Sequence, residues 1–286
     1  MRPVVEKRST NKKLLVVYII IFIVCMIGIG ISLYFGVFKD EKIGAIIGVT
    51  DEESEKEEEY NNLKLEFDTI FTNNVETLQE TNLNLEKISD KFDIVATPYH
   101  YEKNEENLTL NVYIPYINVK KSAAIAFNKK ITENYKTTAE KLMNQVSTIN
   151  TIYSVVYKAY LQNNILSLAI RSEYKEGSNS QVIVVETFNY NLAENREVTI
   201  QELLALKNIN PKDATQKIRS EIKKIQEQNE PLIEQGYNFY KRDYNSEIYE
   251  VTNCKQYLYG KNGMLYVVYP YGNSEDTSEM DVVIFE

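Results

Sequence analysis

Leu14–Phe35 (LLVVYIIIFIVCMIGIGISLYF) runs for 22 residues without a charge. As a helix rising about 1.5 Å per residue it reaches roughly 33 Å, enough to cross a hydrocarbon core about 30 Å thick. Residues 1–13 carry Arg2, Lys7, Arg8, Lys12 and Lys13 against Glu6 alone. That excess of positive charge predicts a cytoplasmic N-terminus, with everything after Phe35 on the far side of the membrane. A cleavable signal has a shorter apolar core and small residues at its end, whereas Tyr34–Lys39 (YFGVFK) offers no such site. Cys25 lies mid-segment behind the bulky Val24, which argues against lipidation. The expectation is a retained single-pass helix, residues 14–35, in contact with membrane lipid.

The remainder has a soluble character. A net charge of −9 over 286 residues excludes the clustered basic surface that nucleic acid requires. The only two cysteines are Cys25, within the apolar segment, and Cys254, beyond it, so no intramolecular disulfide is expected. An exported body without disulfides must rely on its core, which suits a Gram-positive-type envelope.

Residues 36–62 read as an acidic juxtamembrane tether, because Asp51–Glu59 (DEESEKEEE) holds seven acids and one lysine. Residues 63–92 read as a helical lead-in, with Leu63, Phe67, Ile70, Phe71, Leu78, Leu85, Ile88 and Phe92 at intermittent helical spacing. From residue 93 to 286 the pattern alternates. Strands are predicted at Ile94–Tyr101, Leu108–Ile117, Thr151–Tyr160, Ile165–Tyr174, Gln181–Asn191, Met264–Tyr269 and Met280–Phe285. A helix is predicted over Ser122–Val146, with Ile125, Ile131, Tyr135, Ala139, Leu142 and Val146 on one face. A second starts at Pro211, capped by Asn210, and stops at Pro231 and Gly236. The predicted fold class is α+β, an antiparallel sheet with helices packed on it; an alternative division into two subunits falls near residue 172.

Candidate chemistry is sparse. His100 is the single histidine, and it is the only partner available to Cys254 for nucleophilic catalysis. No nucleophile elbow, HExxH, CxxC or phosphate-binding glycine loop occurs, so no catalytic, cofactor-binding or metal-ligating residues are assigned and no cofactor is expected. Carboxylate pairs brought together by folding cannot be read from sequence spacing, which keeps a glycan hydrolase open as an alternative. Tyr237, Phe239, Tyr240, Arg242 and Tyr244 form an aromatic and basic cluster that suits a partner-binding loop.

Four stretches add a resemblance: LNVYIPYI (110–117), SAAIAFNKKI (122–131), ILSLAIRSEYKEGSNSQ (165–181) and FNYNLAENREVTIQELL (188–204). Together they resemble the extracytoplasmic module of RsiV-type anti-sigma factors and PdaC-type peptidoglycan deacetylases. Glu176–Asn179 stands where such relatives often have a GGAH-like turn, and neither a sigma-binding nor a deacetylase domain is expected from these 286 residues. The resemblance therefore implies an envelope-facing module without its own catalytic part. The expected function is non-catalytic binding or sensing of an envelope protein or peptidoglycan. The alternatives are the hydrolase and a structural component of an envelope complex.

Overall fold

The computed structural model describes residues 51–78, 85–88, 93–272 and 279–286. The expected cytoplasmic tail, membrane helix and first part of the tether lie outside these residues. Among the described residues no helix is long and apolar enough to cross a membrane. Helix α1 spans Asp51–Phe67 and thus takes in the acidic run that reads as a tether. Residues 63–286 form one compact unit, and the rest of the description concerns it.

The fold is mixed α+β, with a large, mostly antiparallel sheet. Its strands are β1 (Asn74–Thr77), β2 (Val95–Glu105), β3 (Leu108–Ile117), β4 (Thr151–Gln162), β5 (Ile165–Glu176), β6 (Val182–Asn191) and β7 (Arg196–Glu197). They lie in the order β2-β3-β4-β5-β6-β7, with β1 paired to β4. Asn163 and Asn164, both at positive φ (50° and 60°), close the β4–β5 hairpin as a tight primed turn. The boundary expected near residue 172 falls inside β5, where Ser172 pairs with Val155 on one side and Val184 on the other.

Two features correct the antiparallel plan. Helix α2 (Ser122–Met143) carries the chain over the sheet, so β3 and β4 pair in parallel, Leu108–Val112 against Thr151–Val155. Further along the same edge of β4, β1 also pairs in parallel, Asn74–Thr77 against Lys158–Leu161. Residues 74–77, near the middle of the expected helical lead-in, are therefore strand. Asn73 begins it at φ 54°, and its side-chain Oδ1 accepts from the Tyr157 amide at 2.9 Å.

The buried stripe of α2 is Ala124, Asn128, Ile131, Tyr135, Ala139 and Leu142. Ile125 and Val146 are instead exposed, at 56% and 90%. The stripe is displaced because Asn128 grips the end of β3. Its Nδ2 donates to the Ile117 carbonyl and its Oδ1 accepts from the Ile117 amide, both at 2.8 Å. Against this helix pack Leu166, Leu168 and Ile170, the alternate residues of β5, in the first core.

A second core forms around helices α3 (Ile200–Leu206) and α4 (Pro211–Glu234) and the antiparallel sheet β8 (Gln256–Tyr259), β9 (Leu265–Pro270) and β10 (Met280–Phe285). Thr199 and Glu202 close α3 with a reciprocal capping box. Asn210 caps α4, its side chain accepting from the Lys212 amide at 2.8 Å. Pro231 does not stop α4, which runs on to Glu234. It falls in the last turn, where little helix remains for the missing amide to disturb.

Strand β8 is held to the large sheet by side chains. The Tyr257 amide donates to Thr187 Oγ1 (3.0 Å) and the Tyr259 amide to Ser167 Oγ (2.8 Å). Asn189 Nδ2 donates to the Tyr257 carbonyl (2.9 Å), and Gln162 Nε2 donates to the Gly260 carbonyl. This polar seam explains why Ser167, Asn189 and Gln162 are buried within the strands of the large sheet.

Candidate functional site

The partner-loop residues do not act as one surface. Arg242 is turned inward at 4% exposure. Its Nε and Nη2 form a fork on Asp281 (2.6 and 2.9 Å), Nη2 also reaches Glu279 (2.8 Å), and Nη1 donates to the Tyr240 carbonyl (2.9 Å). Burial opposes its charge, but Asp281 and Glu279 outweigh that and hold its pKa above the usual arginine value. Tyr240 is half-buried and stacks on Tyr271, ring centroids 4.0 Å apart. Tyr244 is half-buried beneath Lys223, whose Nζ lies 5.9 Å from the ring centre. Phe239 is half-buried, and Tyr237 is exposed at 60%. The cluster is mainly a lid on the second core.

His100 and Cys254 are not brought together. His100 is on β2, stacked on Tyr113 (4.1 Å) with Nε2 3.0 Å from Glu102. Cys254 lies two residues ahead of the first residue of β8, which packs on β5 and β6. The step from β2 to β6 crosses four strand spacings, about 19 Å at 4.8 Å each. Burial pushes the Cys254 thiol up to about 12, and its Sγ donates to the Gln256 carbonyl at 3.1 Å. A thiol so protonated is inert at neutral pH. In a Cys25→Ser chain, a disulfide reagent at about pH 8 is expected to label no thiol in the native state and one after denaturation. Rapid native labelling would show that the Cys254 environment opens.

The structure instead offers a cleft of about 400 Å³ beside the polar seam. Helix α2 supplies Ala123, Ala126, Phe127 and Lys130, and β6 supplies Glu186, Thr187 and Phe188. Glu197 of β7, Lys255 and Gln256 complete it. The small alanines leave the space open, and Phe127 stacks on Phe188 at 4.4 Å to make an aromatic floor. Both phenylalanines precede an asparagine. Asn128 and Asn189 clamp backbone at the α2–β3 and β6–β8 junctions, so each Phe-Asn pair places a ring in the cleft and anchors the element that carries it.

Both Glu186 oxygens are engaged. Oε1 accepts from Lys130 Nζ and Oε2 from the Tyr135 hydroxyl, each at 2.6 Å. Burial, reinforced by the Glu186 charge, raises the Tyr135 pKa, so its hydroxyl remains a donor at any working pH. A second hollow of about 320 Å³ lies on the other flank of α2, lined by Tyr99, Tyr116, Ile125, Asn128, Lys129, Thr132 and Glu133. Among the described residues, no group of three His, Cys, Asp or Glu side chains is placed to hold a metal ion.

None of the cleft residues was singled out as a site from sequence, although Phe127 and Phe188 lie within the stretches that carry the family resemblance. The Phe-Asn repetition was the available signal. Only the fold shows that the two pairs face each other.

No protein-family model matches the chain, and no curated protein matches it. Solved structures similar to it include two crystal structures. A DUF3298 family protein from Pseudomonas aeruginosa PAO1 shows 8% identity and a TM-score of 0.34, over 63% of this chain and 83% of that one. A member of the DUF3298 family from Bacteroides fragilis shows 14% identity and a TM-score of 0.25, over 60% and 67% respectively.

Proposed function

We propose that this protein is a single-pass, membrane-anchored, non-catalytic binding module of the cell envelope, with an envelope protein or the cell wall as ligand. The address rests on Leu14–Phe35 and its basic flank. The observation that carries the binding role is the α2–β6 cleft, where Phe127 and Phe188 form a stacked floor and Glu186 is fixed by two donors. A carboxylate saturated in this way is a fixed acceptor and poorly placed to exchange protons with a substrate.

The test uses the full chain in detergent micelles. Retention on isolated cell wall, or of a protein from an envelope extract, is expected, with chitooligosaccharide left intact. Phe127→Ala should weaken retention at least tenfold. Shorter sugars released by the wild type, and not by a Glu186→Gln/Glu197→Gln variant, would establish the hydrolase instead.

A further inference from the structure

Resting on the binding role of the α2–β6 cleft, we infer that it takes a short zwitterionic peptide with an apolar central side chain. The argument starts from what the cleft leaves unused. The Thr187 backbone amide donates to Gln256 Oε1 at 2.8 Å, and a backbone N–H can only donate, so the orientation of the Gln256 amide is fixed. Thr187 Oγ1 also lies 3.2 Å from that oxygen. Gln256 Nε2 has no partner among the described residues, and its two N–H groups are left for a carbonyl.

The charges divide in the same way. Lys130 is consumed by Glu186, whereas Lys255 and Glu197 are exposed and form no ion pair among the described residues. Among the described residues the lining thus presents one free cation, one free anion and one oriented amide donor above an aromatic floor. A peptide matches each of these. Its carboxylate meets Lys255, its ammonium meets Glu197, a backbone carbonyl accepts from Gln256, and an aliphatic side chain lies on Phe127 beside Ala123 and Ala126. The size agrees, since 400 Å³ taken as a sphere is roughly 9 Å across and three extended residues span about 10 Å. An unsubstituted neutral glycan would leave both free charges unmatched.

The probe is Ala-Leu-Ala, titrated calorimetrically into the full chain in detergent micelles, with free termini, with either end blocked or with both ends blocked. The free peptide is expected to bind and to weaken with added salt. C-terminal amidation should reduce affinity about fivefold on the wild type and have no further effect on Lys255→Gln. N-terminal acetylation should do the same on the wild type and be silent on Glu197→Gln. Both substitutions are at exposed positions and leave the fold intact. Loss of coupling between end group and variant would show that these residues do not read the termini, and equal binding of the doubly blocked peptide would overturn the assignment. If wall or envelope protein is retained while no tripeptide binds, the peptide assignment fails and the binding role stands. If nothing is retained, both fail.

Discussion

Arg242→Ala is expected to destabilise the folded chain by about 3–5 kcal/mol, a large part of the stability of an ordinary domain. The loss comes less from the pair than from what is left behind. Asp281 is 4% exposed and would keep a buried charge with, among the described residues, the Tyr271 hydroxyl 2.8 Å away to satisfy it. Tyr271 is itself hydrogen-bonded to Tyr249 at 2.8 Å, so the disturbance would spread through a buried network joining β10, the 3₁₀ turn at Glu247–Tyr249 and the loop around Tyr240. Urea unfolding should show a lower midpoint with an unchanged slope. Arg242→Met/Asp281→Leu removes both charges and should recover at least half of the loss. A cost for Arg242→Ala below about 1 kcal/mol would mean that the network is not as dry as its burial indicates.

Gly272→Ala tests a different constraint. A Cβ built on Gly272 would lie 1.9 Å from the Ile183 carbonyl oxygen and 2.7 Å from its carbonyl carbon and amide nitrogen. These are backbone atoms of β6, paired with β5 at Glu173, and cannot rotate away. The chain after β9 or the start of β6 must move, at a cost of about 3 kcal/mol. Gly236→Ala is the comparison. Gly236 is at φ 92° with nothing within 4 Å of a built Cβ, so only its backbone conformation is penalised, by about 1 kcal/mol. Equal midpoints for the two variants would show that the 272 turn relaxes freely.

The strands of the large sheet were legible because their alternation is set by burial on the two faces, as Leu166, Leu168 and Ile170 against Arg171 and Glu173 illustrate. Their direction was not. Nothing in Leu108–Ile117 or Thr151–Gln162 states that the intervening helix makes them parallel neighbours. Helix α3 had a readable signal in Thr199-Ile200-Gln201-Glu202, a capping-box pattern ahead of an apolar pair. β8 had little, since its four residues (QYLY) are held by side chains from distant strands. The role of the Tyr237–Tyr244 cluster was hidden for a related reason. A cluster of Tyr and Arg reads the same whether it faces a partner or closes over a core, and Arg242 closes over a core.

The parallel pairing of β1 has a mechanical consequence. Any pull that arrives from the N-terminal side of the chain reaches β1 before the rest of the sheet, and β1 has only four rungs on β4. Its latch is electrostatic. Glu76 is gripped by Lys261 at 3.0 Å and by Lys158 at 3.4 Å, and Lys158 also donates to Asn74 at 2.9 Å. Load on β1 is therefore resisted by these ion pairs together with its backbone pairing to β4. The α2–β6 cleft lies across β5 from that edge of β4, so a load on β1 enters the sheet away from the groove.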